Sequence, residues 1–543
     1  MSVPNRYSSR RPRRASQHYA PRRRQDESIA TSSAWNGANQ VITAAFSIVM
    51  VPLLVRRLGI SAYGVYALGL TTIALLQQID GGIISSTARY LAFYRGSGDA
   101  KRASQLVFSS LLIMISVGTA IALALSFAAG SILHFAHIPR TLRPDARFYF
   151  SVIAFLLPLG LLQALATSLL QAHARFRAVS IAGITATFCR LVAVVLLVQG
   201  AHALRTTAWV LLGYQLLSCI LVIVPALYAL PSKTTSLLPR SELFGVLRYA
   251  FNVQVSSVSS LVNTQVDAII LAAILPIREV GLYSTGANLA SQVRALLGNF
   301  LYPTGVRLAT VYGSDGSEAA FATYRKFQTD WVVINTGVFC AGIGGSIFIM
   351  EGWLGPKFYL AGIVCDILLA GYMVNMFTGM LTLYLNATGR PDVEARYGFV
   401  SMIVNVLLTV PLTFLGLLGV VGATAVGTVV GSVYLLSLAR RRVRRDIPSF
   451  LSCAPWWQGL IAGGVAAAAC FGLRSSVHLQ GALGLVLCAL GTLPALLVFV
   501  LLLPPSRRSV LRRATAGGPR ATARRHSTLS EGVPSDPSRP GPG

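Results

Sequence analysis

Apolar runs of about 18 residues or more recur along this chain from roughly residue 41 to residue 504. A helix of that length crosses about 30 Å of hydrocarbon. Only 12% of the 543 residues are charged and the mean hydropathy is +0.63, which excludes an ordinary soluble domain. The runs are continuous and about twice as long as the alternating strands of a membrane β-barrel, which excludes that architecture. We therefore expect an all-α polytopic membrane protein.

The apolar runs predict fourteen transmembrane helices with short connections. Their predicted bounds are 31–55, 63–88, 103–129, 148–171, 178–199, 206–230, 250–275, 280–305, 327–350, 359–386, 397–415, 420–439, 456–473 and 480–504. Lys and Arg are concentrated in the two tails and in the even-numbered connections. By the positive-inside rule, both termini are expected in the cytoplasm.

The chain resembles itself at a nearly constant offset. Residues 58–66 parallel residues 275–283 at an offset of 217, and residues 170–175 parallel residues 385–390 at 215. Both matches fall at the same place in a set of six helices, which predicts two parallel six-helix lobes with a substrate path between them. The expected divisions are a basic tail (1–30), an N-lobe (31–230), a C-lobe (231–445), helices 13 and 14 (446–504) and a second basic tail (505–543).

The chain has 46 basic and 18 acidic residues, a net charge of +28, and each tail contributes eight Arg and two acids. Their Arg, Ser, Pro and Gly content predicts disordered tails. Arginines near a bilayer are attracted to anionic lipids, which are therefore expected partners. Nucleic acid is not expected, because only Tyr7 and Tyr19 offer a base a stacking surface in the tails.

Several short motifs connect the chain with a known family. They are Pro52-Leu53-Leu54 through Leu58-Gly59, Tyr63-Gly64 and Asp80-Gly81-Gly82 followed by Arg89 in the first half, and Asp267-Ala268-Ile269-Ile270-Leu271, Gly281-Leu282-Tyr283, Trp353-Leu354-Gly355 and Asn386-Ala387-Thr388-Gly389 in the second. With the helix count and the repeat, residues 31–445 resemble the polysaccharide-export (Wzx-type) flippases. That family lies within the multidrug/oligosaccharidyl-lipid/polysaccharide flippase superfamily.

The resemblance implies a transporter that is not an enzyme. Such a flippase moves an undecaprenyl-pyrophosphate-linked oligosaccharide from the inner to the outer leaflet of the bacterial cytoplasmic membrane by alternating access. Other membrane proteins of polysaccharide assembly become candidate partners. No cofactor, metal or catalytic residue is expected.

Ionisable side chains inside the bilayer cost a few kcal/mol each, so each is a candidate functional residue. Arg294 lies near the middle of predicted helix 8, and its guanidinium fork fits phosphate oxygens. We expect it to face a hydrated cavity and bind the pyrophosphate, with a structural ion pair to Asp267 as the alternative. For Arg190, midway along helix 5, a cavity role and an interhelical role remain open.

Two helices carry polar faces at helical spacing. One consists of Ser256, Ser260, Asn263 and Asp267 on helix 7, and the other of Ser32, Asn36, Gln40, Thr43 and Ser47 on helix 1. The repeat gives these helices equivalent places, so both faces are expected to line the cavity. Asp267 is also a candidate site for a coupling cation or proton.

Further arginines lie near the predicted membrane surfaces. Arg89 ends a face of helix 2 shared with Gln78, Gly82 and Ser85, and Arg307 is its repeat equivalent. Both are candidates to receive an anionic head group at the cytoplasmic mouth, with positive-inside anchoring as the alternative. Arg56 and Arg57 run against the charge asymmetry, which suggests a role at the outer mouth.

Two other functions are open. A drug/cation antiporter of the same superfamily should have an acidic cavity, whereas the deep charges here are mostly basic. A membrane polymerase or lipid-sugar glycosyltransferase should need a large outer loop with catalytic acids, and the longest outer connection, about residues 130–147, offers only Asp145. A GxxxxGKS/T loop for ATP phosphates is absent from the sequence.

Overall fold

The computed structural model describes residues 39, 42–43, 45–47, 49–78, 82–96, 99–172, 175–200, 202–229, 236–448, 455–476 and 482–503. Every regular element within these ranges is helical. Ten helices in this part of the chain are long and apolar enough to cross a membrane. The predicted class, an all-α polytopic membrane protein, is confirmed, while the count of fourteen spans remains a prediction.

The helices follow one another with short connections, and we number them in chain order. The first half contains α1 (49–58 as described), α2 (Ile60–Gln77), α3 (Ile83–Gly96), α4 (Ala100–Phe135), α5 (Arg143–Ala154), α6 (Leu156–Ala172), α7 (Phe176–Leu197) and α8 (Ala203–Ala229). The rest contains α9 (Arg240–Ile274), α10 (Ile277–Leu354), α11 (Tyr359–Phe377), α12 (Gly379–Ala387), α13 (Pro391–Leu412), α14 (Leu417–Arg442), α15 (Trp456–Ser476), α16 (Ala482–Gly491) and α17 (Leu493–Leu502).

Two predicted helix boundaries are wrong. Predicted helix 2 is divided into α2 and α3, because Gly82 has φ 70° and interrupts the helix. Gln78 and Ser85 therefore do not share one continuous helix, and the side chain of Arg89 lies outside the described part of the structure. In contrast, predicted helices 8 and 9 join in α10, which is interrupted only by a kink at Gly316 with φ 82°.

Helices also cover the places predicted for the seventh and eighth spans, in α9 and in the part of α10 before Thr310. Neither segment is among the ten apolar spans. Polar residues such as Asn288, Gln292 and Arg294 lower the hydropathy of the α10 segment. A helix of this kind needs water or a polar partner inside a membrane.

The two copies of the repeated motif pack against each other where α2 crosses α10. A Cβ atom on Gly64 would overlap the carbonyl oxygen of Ile277, and one on Gly281 would lie 2.8 Å from the carbonyl oxygen of Ile60. Ile60 and Gly64 precede Ile277 and Gly281 by the repeat offset of 217. The contact is therefore reciprocal, as at a twofold interface, and the glycines allow the backbones to approach.

Arg57 connects the end of α1 to the end of α7. One guanidinium nitrogen, Nη1, donates to the carbonyl oxygens of Val194, Val195 and Val198 at 2.8, 2.6 and 2.8 Å. These carbonyls lie at a helix C-terminus, where the helix dipole attracts a cation, and the Val194 oxygen also accepts from the backbone N–H of Val198. Arg57 therefore caps α7, and a role at the outer mouth stays a prediction for Arg57 and for the exposed Arg56.

The last three helices lie outside the repeat and include close contacts with α10. A Cβ atom on Gly344 of α10 would overlap the main chain of Gly463 in α15. A Cβ atom on Gly337 would lie 2.6 Å from the ring of Phe499 in α17. Small residues therefore let these helices pack closely on the second half of the chain.

Candidate functional site

A cavity of about 1110 Å³ lies between the two halves of the chain. Residues of α1, α2, α7 and α8 line one side, and residues of α10 and α11 together with Ala268 of α9 line the other. Its wall is rich in tyrosines, hydroxyls and amides, among them Tyr63, Tyr66, Tyr214, Tyr372, Asn39 and Asn288. Such a surface offers many hydrogen-bonding groups and several aromatic faces.

Arg294 lines this cavity from α10. Its guanidinium carbon lies 4.8 Å from the centre of the Tyr372 ring, close enough for a cation–π interaction. The alternative ion pair with Asp267 is not formed, and Arg294 has no ion pair among the described residues. Its charge is thus held by a ring and left available to an anion.

Arg190 lines the same cavity from α7. Its Nη2 donates to the hydroxyl oxygen of Tyr66 at 2.6 Å, and its guanidinium carbon lies 5.2 Å from the Tyr214 ring centre. Nε is buried without a hydrogen-bond partner. Arg190 also lacks an ion pair within the described part of the chain. Both open interpretations therefore apply, because this side chain joins helices and faces the cavity.

Asp267 of α9 is only 1% exposed and is not among the described residues lining the cavity. Its carboxylate accepts hydrogen bonds from the hydroxyls of Tyr283, at 3.1 Å, and Thr424. The Asn405 side chain also hydrogen-bonds to it. Since Tyr283 and Ala268 do line the cavity, Asp267 lies directly behind the wall among neutral donors.

The lining of the cavity has an uneven charge. Arg190 and Arg294 belong to it, and no aspartate or glutamate occurs among its described lining residues. In a site with low-dielectric walls, two uncompensated cations create a positive potential that concentrates anions. The two arginines can hold an anionic group such as a phosphate. The neighbouring hydroxyls and amides of the wall offer hydrogen bonds to the rest of the same ligand.

The structure describes the other predicted site residues only in part. Arg307 of α10 is exposed, lies outside the described lining and has its guanidinium carbon 5.5 Å from the Phe327 ring centre. Arg89 belongs to α3 and Asn263 to α9, but both side chains lie outside the described part of the structure. Asn36 and Gln40 lie outside the described residues.

Sequence reasoning missed the cavity tyrosines. Tyr66 and Tyr283 occupy the same position of the repeat, at an offset of 217, and each hydrogen-bonds to a charged side chain of its own half, Arg190 or Asp267. The repeat itself was the available signal, because both tyrosines end the repeated motif. Asn39 and Asn288 also line the cavity, while Thr43 and Ser47 lie there as the stripe on helix 1 predicts.

Comparison with known proteins gives concordant results. Residues 29–303 match the family model described as polysaccharide biosynthesis protein. A Shigella flexneri protein named "Putative O-antigen transporter" is 22% identical over 384 residues, which cover 68% of this chain and 87% of that protein.

Solved structures resemble the fold at low sequence identity. A structure of the lipid II flippase MurJ in an inward closed conformation has a TM-score of 0.68 at 12% identity, covering 87% of this chain and 98% of that one. An inward-facing multidrug transporter of the MATE family in the MOP superfamily has a TM-score of 0.64 at 13% identity, with coverages of 75% and 96%. The chain therefore has the fold shared by these transporters.

Proposed function

The chain belongs to the polysaccharide biosynthesis protein family, and from this premise we propose that it is a flippase for a lipid-linked oligosaccharide. The cargo is an oligosaccharide joined through pyrophosphate to undecaprenol, which moves from the inner to the outer leaflet of the bacterial cytoplasmic membrane. The related Shigella flexneri protein is named for transport of O-antigen, and MurJ for flipping lipid II. Both names describe carriers of a glycan or glycolipid.

The observation that carries this proposal is the cavity with Arg190 and Arg294 and without a described lining acid. The pyrophosphate is the part of such a cargo whose transfer from water into the membrane costs the most free energy, because it is charged and the membrane interior has a low dielectric constant. Two guanidinium groups held by aromatic rings can replace its hydration with charge-assisted hydrogen bonds. Tyrosine rings, amides and hydroxyls nearby suit the sugars, while the lipid tail remains in the bilayer.

Transport proceeds by alternating access of two lobes, 31–230 and 231–445. The reciprocal contact of Gly64 with Ile277 and of Gly281 with Ile60 supports a twofold relation between them. In the proposed topology this contact lies at the outer ends of α2 and α10, so the cavity is closed toward the outside. The two most similar folds described above carry inward conformations in their titles, which agrees with this state.

Asp267 is the proposed site of the coupling cation or proton. A carboxylate that is 1% exposed and surrounded by neutral donors is costly when ionised without a cation. Binding a cation or proton removes that cost, and Asp267 is separated from the cavity only by its neighbours in the wall. Its position therefore allows ion binding and cargo binding to influence the same helices.

The remaining assignments belong to the same proposal. Fourteen spans cross the membrane: the ten apolar helices, the helix at 31–55, the polar segments of α9 and α10, and the shorter apolar helix at Ala489–Leu502. Both termini lie in the cytoplasm, where the basic tails attract anionic lipids. Arg89 and Arg307 are proposed to receive the head group at the cytoplasmic mouth, and Asn263, Asn36 and Gln40 to extend the polar lining.

Liposomes that contain the purified protein and a labelled undecaprenyl-pyrophosphate oligosaccharide in one leaflet test this function. We expect protein-dependent appearance of the label in the opposite leaflet. The same oligosaccharide on an uncharged lipid should move much more slowly, because the arginines then have no anion to bind. Transport of a cationic drug with no movement of the glycolipid would instead indicate the antiporter function and overturn the proposal.

A further inference from the structure

Helix α2 presents two opposite faces to two different parts of the molecule. Gly64 faces the main chain of α10, and Tyr66, two residues later, reaches Arg190 in α7. Residues two apart are about 200° apart around a helix, so these contacts lie on nearly opposite sides. One helix thus contacts the other half of the chain on one side and the cavity arginine of its own half on the other.

The equivalent segment of α10 has the same arrangement, but its tyrosine bonds to an acidic residue where that of α2 bonds to a basic one. Gly281 faces the main chain of α2, and Tyr283 donates its hydroxyl hydrogen to Asp267. Both tyrosines are nearly buried, with 5% and 6% exposure. An anionic cargo is attracted to Arg190 and repelled by a carboxylate, so of these two tyrosines only Tyr66 is bonded to a residue that binds the cargo.

The bond between Arg190 and Tyr66 competes with anion binding. Arg190 has no acidic partner in the described structure, and its Nη2 hydrogen bond to Tyr66 is short, at 2.6 Å. A phosphate is a stronger acceptor for a guanidinium group than a neutral phenol oxygen. When an anion takes the Nη2 hydrogens, the Tyr66 hydroxyl loses its donor and α2 loses this hydrogen bond to α7.

Two further hydrogen bonds hold α2 close to its crossing with α10. The hydroxyl of Tyr149 donates to the carbonyl oxygen of Tyr66 at 3.0 Å, and Tyr63 hydrogen-bonds to Thr285 of α10. The first contact belongs to the same half of the chain and the second crosses to the other half. Releasing Arg190 therefore removes a contact of α2 that lies two residues, about half a helical turn, from Gly64, where the halves meet.

We propose that Tyr66 is a positioning residue through which an anion bound at Arg190 loosens the crossing of α2 and α10. This inference rests on the proposed function, and it adds a trigger: arrival of the pyrophosphate releases the contact that closes the outer side. The uncharged tyrosine hydroxyl transmits the change through its hydrogen bond to Arg190. Opening toward the outside then follows cargo binding and does not precede it.

Distances between spin labels measure the state of the crossing. The native cysteines are replaced, and labels are attached through Ser61→Cys and Arg278→Cys, which are repeat equivalents at the starts of α2 and α10. Farnesyl pyrophosphate is the anionic probe, and farnesol is its uncharged control. Binding of the probe to each variant is measured separately by calorimetry, so that loss of binding and loss of response are distinguished.

Tyr66→Phe removes only the hydroxyl group, and Tyr359→Phe is the matched control because Tyr359 is exposed and is not among the described lining residues. In the unmodified background and in Tyr359→Phe, the pyrophosphate should raise the fraction of long distances while farnesol has no effect. In Tyr66→Phe the probe should still bind, but its effect on that fraction should fall about tenfold, the ratio that corresponds to one hydrogen bond to a charged group. Tyr283→Phe should keep the response.

Each other outcome has a defined meaning. An undiminished response in Tyr66→Phe, or an equal loss in Tyr283→Phe, overturns the inference and leaves the proposed function standing. Binding without any change of distance in the unmodified background also overturns it. If the unmodified protein does not bind farnesyl pyrophosphate, the proposed anionic cargo site fails, and the inference fails with it.

Discussion

Gly64 in α2 lies directly against the main chain of Ile277, the first residue of α10. The residues one repeat away, Gly281 and Ile60, make the same contact in the reverse direction. Glycines at both contact points let the backbones of the two helices touch. Because the nearest atoms are main-chain atoms, no side chain can move to make room for an added group. The junction of the two halves is therefore sensitive to a single methyl group.

Substituting Gly64→Ala should destabilise the closed arrangement. The new Cβ atom would overlap a main-chain carbonyl that cannot rotate away, and overpacking of this kind costs roughly 1–3 kcal/mol. Thermal unfolding in detergent should show a lower midpoint for this variant. Gly213→Ala is the control, because a Cβ atom there has no neighbouring atom within 4 Å. Equal midpoints for the two variants would show that the crossing is not tightly packed.

Arg294→Lys should transport more slowly although it keeps the positive charge. Lysine cannot form two parallel hydrogen bonds to a pyrophosphate and loses part of the stacking on Tyr372, so we expect about a tenfold loss of rate. Flipping assays in liposomes measure this rate. Arg325→Gln is the control, because Arg325 is exposed on the same helix and is absent from the described lining. An unimpaired lysine variant would mean that charge alone is sufficient at position 294.

Asp267→Asn should remove the dependence of transport on an ion gradient. The amide keeps nearly the same shape and can still accept from Tyr283, but it cannot bind a proton or provide a negative charge for a cation. Initial flipping rates with and without sodium or proton gradients provide the measurement. Asp366→Asn is the control, since Asp366 hydrogen-bonds to Ser346 and is not among the described cavity residues. A gradient effect that persists in Asp267→Asn would place coupling elsewhere.

Arg57→Ala should lower stability without removing cargo binding. The variant leaves three carbonyl groups at the end of α7 without their cationic donor, and we expect a loss of about 2 kcal/mol. The adjacent Arg56→Ala should have little effect, because Arg56 is exposed. Thermal unfolding compares the two, and calorimetry with farnesyl pyrophosphate checks binding. Loss of binding with unchanged unfolding would instead indicate that Arg57 acts at the outer mouth of the cavity.

The fold class was predictable because bilayer thickness sets the length of an apolar run. Arg294 was also predictable as a cavity residue, since a cation near the middle of a span needs a polar environment. Arg190 could be recognised as buried in a span, but only the structure shows that it joins α7 to Tyr66 and faces the cavity. Its partner lies 124 residues away in the chain, and periodicity contains no information on such contacts.

Other features depended on backbone geometry. The division of predicted helix 2 follows from the positive φ of Gly82, which sequence hydropathy does not register. The proposed pair of Arg294 and Asp267 was reasonable by charge alone, but Asp267 finds its donors in Tyr283 and Thr424. The buried carboxylate of Asp267 thus accepts hydrogen bonds from neutral hydroxyl groups and does not pair with an arginine. The packing of α9 against its neighbours determines which of these contacts forms, and the sequence does not show that packing.

The central claim is that two arginines from the two halves of the chain compensate the pyrophosphate during its passage. Liposomes containing a labelled undecaprenyl-pyrophosphate oligosaccharide and either the unmodified protein or the Arg190→Gln/Arg294→Gln double variant test it directly. We expect rapid movement of the label between leaflets with the unmodified protein, and only the protein-free background with the double variant at equal amounts of inserted protein. Movement at the unmodified rate by the double variant would contradict the account.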